Sequence, residues 1–170
     1  LVTGVQTCAL PIFMPNVKIQ SVAQTERAGL FSICFEGDSF TEFQKFIEEH
    51  RDDYSKDLGV ILTAIQHMMT VGGFLERYFR PEGKFRDNVC ALPIESGRLR
   101  LYCLRLSDSV LIAGNGGVKA VRRYEDCDEL NGYVLTLQKL DDALRLAIRK
   151  GEVIIEERSV KGIETKDFSL

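Results

Sequence analysis

The chain has 170 residues, 45% hydrophobic and 28% charged, with a formal net charge of −3, the profile of one globular domain with its own core. No run approaches the roughly 18 uninterrupted apolar residues of a membrane helix, and the acidic balance gives no general attraction for polyanions. The charges are segregated, however: residues 36–57 hold eight acidic side chains against three Lys or Arg, and residues 74–105 hold four against seven. Lys119, Arg122 and Arg123 extend the basic set, so one basic face on a mildly acidic protein is permitted.

Residues 1–13 read as a non-native leader. Residues 2–12, VTGVQTCALPI, match the in-frame translation of a common sequencing adapter, and Met14 follows as a start. The segment has neither the basic flank nor the extended apolar centre of an export signal. It is expected to add little to the core, leaving a single domain over 14–170. CALPI recurs at 90–94, an accidental echo on this reading. The four cysteines beyond the leader, Cys34, Cys90, Cys103 and Cys127, are widely spaced and read as reduced structural thiols rather than disulfides or zinc ligands.

In chain order, residues 17–24 and 30–36 read as strands joined by a turn at Arg27-Ala28-Gly29, a plausible hairpin. Asp38 or Ser39 is the expected cap of a helix carrying Phe40, Phe43, Phe46 and Ile47, with Glu42, Lys45, Glu48 and Glu49 left for solvent. A second helix starts near Ser55, shows Leu58, Ile61, Leu62, Ile65, Met68 and Met69 as its stripe, and stops at Gly72-Gly73. Residues 74–88 turn aromatic and basic, broken by Pro81 and Gly83, and read as a loop. Strands are expected at 89–94, 98–105 and 109–113, arranged as an antiparallel meander. In the middle one Arg98, Arg100, Tyr102 and Leu104 share a parity opposite Leu99, Leu101, Cys103 and Arg105, so that one face buries apolar groups while the other projects charge. Gly114-Asn-Gly-Gly117 should end the sheet, and it lacks the spacing of a phosphate-binding loop. A helix over 136–150 and a strand over 152–157 complete the chain.

No metal cluster is evident, His50 and His67 read as surface or boundary histidines, and no serine sits in a nucleophile elbow. The basic and aromatic set carries what chemistry there is. Within it, NVCALPI at 88–94, GRLRLY at 97–102 and SVLIAGNGGVK at 109–119 resemble the central core of RelE/HigB-like toxins of bacterial type II toxin–antitoxin pairs. The resemblance implies an α+β RelE-like fold, with two N-terminal helices packed on a small, mainly antiparallel sheet, and an additional C-terminal helix and strand. It implies a cytoplasmic mRNA endoribonuclease without metal or cofactor, acting with or without the ribosome, held by an antitoxin that carries a helix-turn-helix domain, and no membrane partner. The alternative is a non-enzymatic binding or regulatory protein of a phage or mobile element.

Matched to the family's pattern, the catalytic candidates are Lys84, Arg86, Arg98, Arg100 and Tyr124, and the RNA-binding candidates are Arg77, Arg80, Tyr102, Lys119, Arg122 and Arg123. Lys84 or Arg86 would activate the ribose 2′-hydroxyl, Arg98 and Arg100 would neutralise phosphoryl charge, and Lys119 would hold the backbone. Tyr102 or Tyr124 would stack on a base, and Tyr124 would assist proton transfer. One chemical difficulty stands out. Lysine titrates near roughly 10.4 and arginine stays protonated, so neither is a natural base at neutral pH.

Overall fold

The computed structural model describes residues 15–84, 87–93, 97–120 and 122–170; the leader, its proposed start and Arg86 lie outside the described residues. Strand β1 (Asn16–Gln24) pairs antiparallel with strand β2 (Gly29–Phe35). The Thr25 hydroxyl closes the turn by accepting the backbone N–H groups of Arg27 at 3.2 Å and Ala28 at 3.1 Å. Helix α1 (Glu42–His50) and helix α2 (Ser55–His67) follow, α2 running on into a π-helical turn at Met68–Gly72. Strands β3 (Arg80–Pro81), β4 (Val89–Pro93), β5 (Leu99–Ser107) and β6 (Val110–Val118) make an antiparallel meander, and β6 then lies parallel to β2. Helix α3 (Asp128–Arg149) comes next, followed by a ribbon of β7 (Ile154–Ile155) with β8 (Val160–Lys161). Strand β9 (Phe168–Ser169) pairs with β1. The main sheet runs β3-β4-β5-β6-β2-β1-β9.

This corrects the expected architecture. The first described elements are two strands, not helices, and the helices come after and between strand clusters. Nor is the sheet small: it has seven strands and is covered on both faces. One face packs Leu30, Leu99, Leu101 and Leu111 against Phe43 and Phe46 of α1 and Leu58 and Ile61 of α2. The other packs Ile33, Tyr102, Leu104 and Ile112 against Leu130, Val134, Leu137 and Leu144 of α3. Each such Leu or Val side chain contributes about 1.5–3 kcal/mol by leaving water. A strand covered on both faces needs a continuous apolar run rather than alternation, and Leu30-Phe-Ser-Ile-Cys-Phe35 in β2 is one. Its single polar member, Ser32, is wholly buried and donates to the Ala113 carbonyl at 2.7 Å while accepting the Phe43 N–H at 3.1 Å. One hydroxyl thus ties β2, β6 and α1.

Other local expectations also shift. Thr41, not Asp38 or Ser39, caps α1, in a reciprocal box with Gln44 at 3.2 and 2.8 Å, which leaves Phe40 outside the helix and exposed. Glu42 is buried rather than solvated, its carboxylate shared by Lys45 at 2.6 Å and Asn115 at 3.0 Å. His50 is buried too, edge-on to Phe46 and Tyr54. The glycine run does not end the sheet but lies inside β6. It is a close-approach segment: a Cβ on Gly116 would stand 1.9 Å from the Arg100 carbonyl oxygen, and one on Gly117 3.0 Å from Leu130 of α3. The C-terminal helix begins eight residues before the expected position 136, at Asp128. The expected strand over 152–157 shrinks to Ile154–Ile155, outside the main sheet.

Candidate functional site

The register of the meander brings the basic residues to one corner of the sheet. Arg80 in β3 faces Ala91 in β4, which faces Tyr102 in β5. Arg100, two residues earlier in β5, pairs with Gly117 in β6, and Lys119 follows at the end of β6, its N–H bonded to the Arg98 carbonyl at 2.8 Å. Arg100 and Tyr102 share the face covered by α3. The Arg100 guanidinium folds back on its own strand, donating to the Gly97 and Leu99 carbonyls at 3.1 and 2.9 Å. Tyr124 arrives from a short 3-10 turn (Tyr124–Asp126) and meets Tyr102 edge-on, with ring centroids 6.3 Å apart.

In the middle of this corner lies a residue the sequence reading passed over. Glu82 follows β3, its N–H bonded to the Val89 carbonyl at 3.1 Å. Burial pushes its carboxyl above the ordinary carboxylate range, against the pull of Lys119, Arg80 and Arg100 and with the help of Glu125. A carboxylate moved toward neutrality beside three cations supplies the proton acceptor that lysine and arginine do not. The available signal was the one acid between Arg80 and Lys84.

The phenols behave differently from each other. Tyr124 is half-buried, and its hydroxyl titrates above its ordinary value because of burial, then Glu125 and Glu82, with a Gly83 backbone hydrogen bond pulling the other way. It therefore stays protonated at neutral pH and can give a proton. Tyr102 is 0% exposed, so it offers no face to a base, and its expected stacking role is withdrawn. Its phenol is also raised, by burial first and then by Glu82.

The remaining candidates lie outside the cluster. Arg77 stacks over Tyr78 at 5.0 Å and donates to its hydroxyl at 3.1 Å. Arg98 is exposed, and its backbone N–H is taken by Asp57 of α2 at 3.1 Å. Lys84, Arg122 and Arg123 are exposed. Arg105, part of the same basic count, is structural: it donates to the Phe74 carbonyl at 2.6 Å and pairs with Asp108.

The loop that bears Glu82 and Lys84 is fastened to α3. Asp87 accepts the Lys84 and Val89 N–H groups at 2.7 and 3.1 Å and the Gln138 amide at 3.2 Å. Asp141, 1% exposed, accepts both donors of Asn88 at 3.3 and 2.8 Å and Arg145 at 2.9 Å.

No family model, curated protein or solved structure matches this chain. The likeness to RelE/HigB-like toxins rests on its three short strand segments. Among the described residues no group of three or more His, Cys, Asp or Glu is placed to hold a metal ion, and no helix is long and apolar enough to cross a membrane. Cys34, Cys90, Cys103 and Cys127 are free. Burial pushes the Cys90 thiol up to about 12 and raises that of Cys103 as well, which keeps both from acting as nucleophiles.

Proposed function

We propose that this chain is a metal-independent endoribonuclease acting on mRNA in the cytoplasm, and the toxin of a pair in which a small antitoxin with a helix-turn-helix domain holds it inactive. The observation that carries the reading is the half-buried Glu82 carboxyl, pushed up by burial against the pull of Lys119, Arg80 and Arg100, together with the protonated Tyr124 that packs edge-on to Tyr102. Glu82 takes the proton of the ribose 2′-hydroxyl as that oxygen attacks the adjacent phosphorus. The bond from phosphorus to the 5′-oxygen breaks, and Tyr124 gives its proton to the departing oxygen. The products are a 2′,3′-cyclic phosphate and a 5′-hydroxyl, and the Glu82 proton returns through solvent to the phenolate. Arg100, Arg80 and Lys119 neutralise the charge that grows on the phosphoryl oxygens, an effect that is large where donors are fixed in advance.

The test is cleavage of end-labelled single-stranded RNA, and of mRNA on ribosomes, in the presence of a metal chelator. Glu82→Gln should lower the rate about 10²–10⁴-fold, the usual contribution of a positioned base. Arg100→Ala should lower it about 10²–10³-fold. A folded wild-type protein that binds both substrates and cuts neither would leave the binding-protein alternative standing.

A further inference from the structure

The Tyr102 ring fills the sheet face beneath α3, a task phenylalanine performs equally well, yet the residue carries a hydroxyl that is fully buried and has no hydrogen-bond partner. Native interiors rarely leave such a group unmatched, and those that do reserve it for a function. Beyond burial, the Glu82 carboxylate bears most strongly on this hydroxyl, followed by Arg100, Cys127 and Tyr124. Arg100 is a donor only, already committed to two backbone carbonyls. The Cys127 sulfur is a weak acceptor. Tyr124 meets Tyr102 through its ring edge, with its own hydroxyl turned to Gly83 and Glu125. Of the four, the Glu82 carboxylate alone is a strong acceptor.

We propose that Tyr102 is a positioning residue for Glu82, its hydroxyl donating a hydrogen bond to the ionised carboxylate after a rotamer change of the Glu82 side chain. The inference rests on the nuclease reading for its purpose but not for its test. The small Ala91 side chain lies directly across the strand from Tyr102, so nothing bulky on β4 stands between the phenol and the β3 edge from which Glu82 extends. A donor on the charged form favours that form, which here offsets the burial that opposes it and fixes the oxygen that receives the proton. The other charges around Glu82 come from Lys119 beyond β6, Arg80 in β3, Arg100 in β5 and Glu125 in the 3-10 turn; none of them is altered by changing the phenol.

The experiment compares the full chain with Tyr102→Phe. Carbon-13 NMR of labelled glutamate carboxyls follows the Glu82 titration, assigned by the signal missing in Glu82→Gln, and thermal melting is recorded beside it. The expected result is a Glu82 midpoint higher by about half a pH unit or more in Tyr102→Phe, with melting unchanged or improved. RNA cleavage measured at a pH below the wild-type Glu82 midpoint should then fall about three-fold and recover as the pH rises. A Glu82 midpoint equal in the two proteins overturns the proposal, and so does a loss of melting temperature with no change of midpoint, which would make the hydroxyl merely structural. A wild-type chain that cleaves no RNA removes the nuclease reading alone, because the midpoint shift is measured on the free protein.

Discussion

Glu82 holds a charge that its surroundings resist, and that has a consequence for stability as well as chemistry. Its titration is raised on folding, so its contribution to stability is complete below the unfolded value of about 4.3 and is lost as pH rises through the folded value. Glu82→Gln should therefore melt above wild type at about pH 7.5, and the difference should close by about pH 3.5 as the wild-type carboxyl takes up its proton. Calorimetric melts across that range check the sign. A gap that widens toward acid would mean that attraction to Arg80, Arg100 and Lys119 outweighs burial. Stability gained where activity is lost is the usual mark of a site residue.

At the scale of elements, α3 and β6 are the pair that sets the site. Gly116 and Gly132 separate the two demands on glycine. A side chain at Gly116 meets the β5 backbone at 1.9 Å, whereas at Gly132, inside α3, it meets nothing within 4 Å. Gly116→Ala should cost about 2–3 kcal/mol or more by prising β5 from β6, and Gly132→Ala should gain about 0.5–1 kcal/mol; urea titration of the two variants should move in opposite directions. Asp141→Ala unpairs Asn88 and removes one of the two ties between the Glu82 loop and α3, leaving Asp87 with Gln138. It should cost about 2–4 kcal/mol and lower RNA cleavage more than it lowers RNA binding. Much of this layer was legible in the residues. The apolar stripes of α1 and α2 at 3.6-residue spacing and the hairpin of β1 and β2 were all visible. Three things were not. The early start of α3 is hidden by Asn131-Gly132, which has the composition of a turn. The continuation of β6 is hidden by glycines whose reason is the approach of another strand and of α3. The shared burial of both faces of β5 is hidden because Arg98 lies just before it and Arg100 at its start, while Tyr102 and Leu104 on the same parity are covered by α3. At the site, the segregation of the cations was visible by charge, whereas Tyr124 entered only through the family resemblance. Glu82 was not visible, because burial rather than residue type makes it useful.

Across the whole molecule the segregated charge takes form as two poles. Glu42 of α1 and Asp128 and Glu129 at the start of α3 line a recess of about 290 Å³, while the basic set is carried by β3, β5 and the end of β6. Three cations engaged with a single-stranded backbone predict a slope of about −2 in the logarithm of the association constant against that of salt concentration. Lys119→Ala should flatten it by about 0.7, a change that fluorescence anisotropy with a short RNA measures directly. The one parallel joint of the main sheet among the described residues, Gly29↔Val110 through Ser32↔Ala113, sets the order of events during synthesis. β2 leaves the ribosome some eighty residues ahead of the neighbour that must lie beside it, a separation that slows folding. In that interval the hairpin holds a bare inner edge, and α1 and α2 have only half a platform. Until β6 emerges, β2 keeps an unpaired edge, the kind of surface on which nascent chains aggregate or are captured, and the corner formed by β3, β5 and β6 does not yet exist.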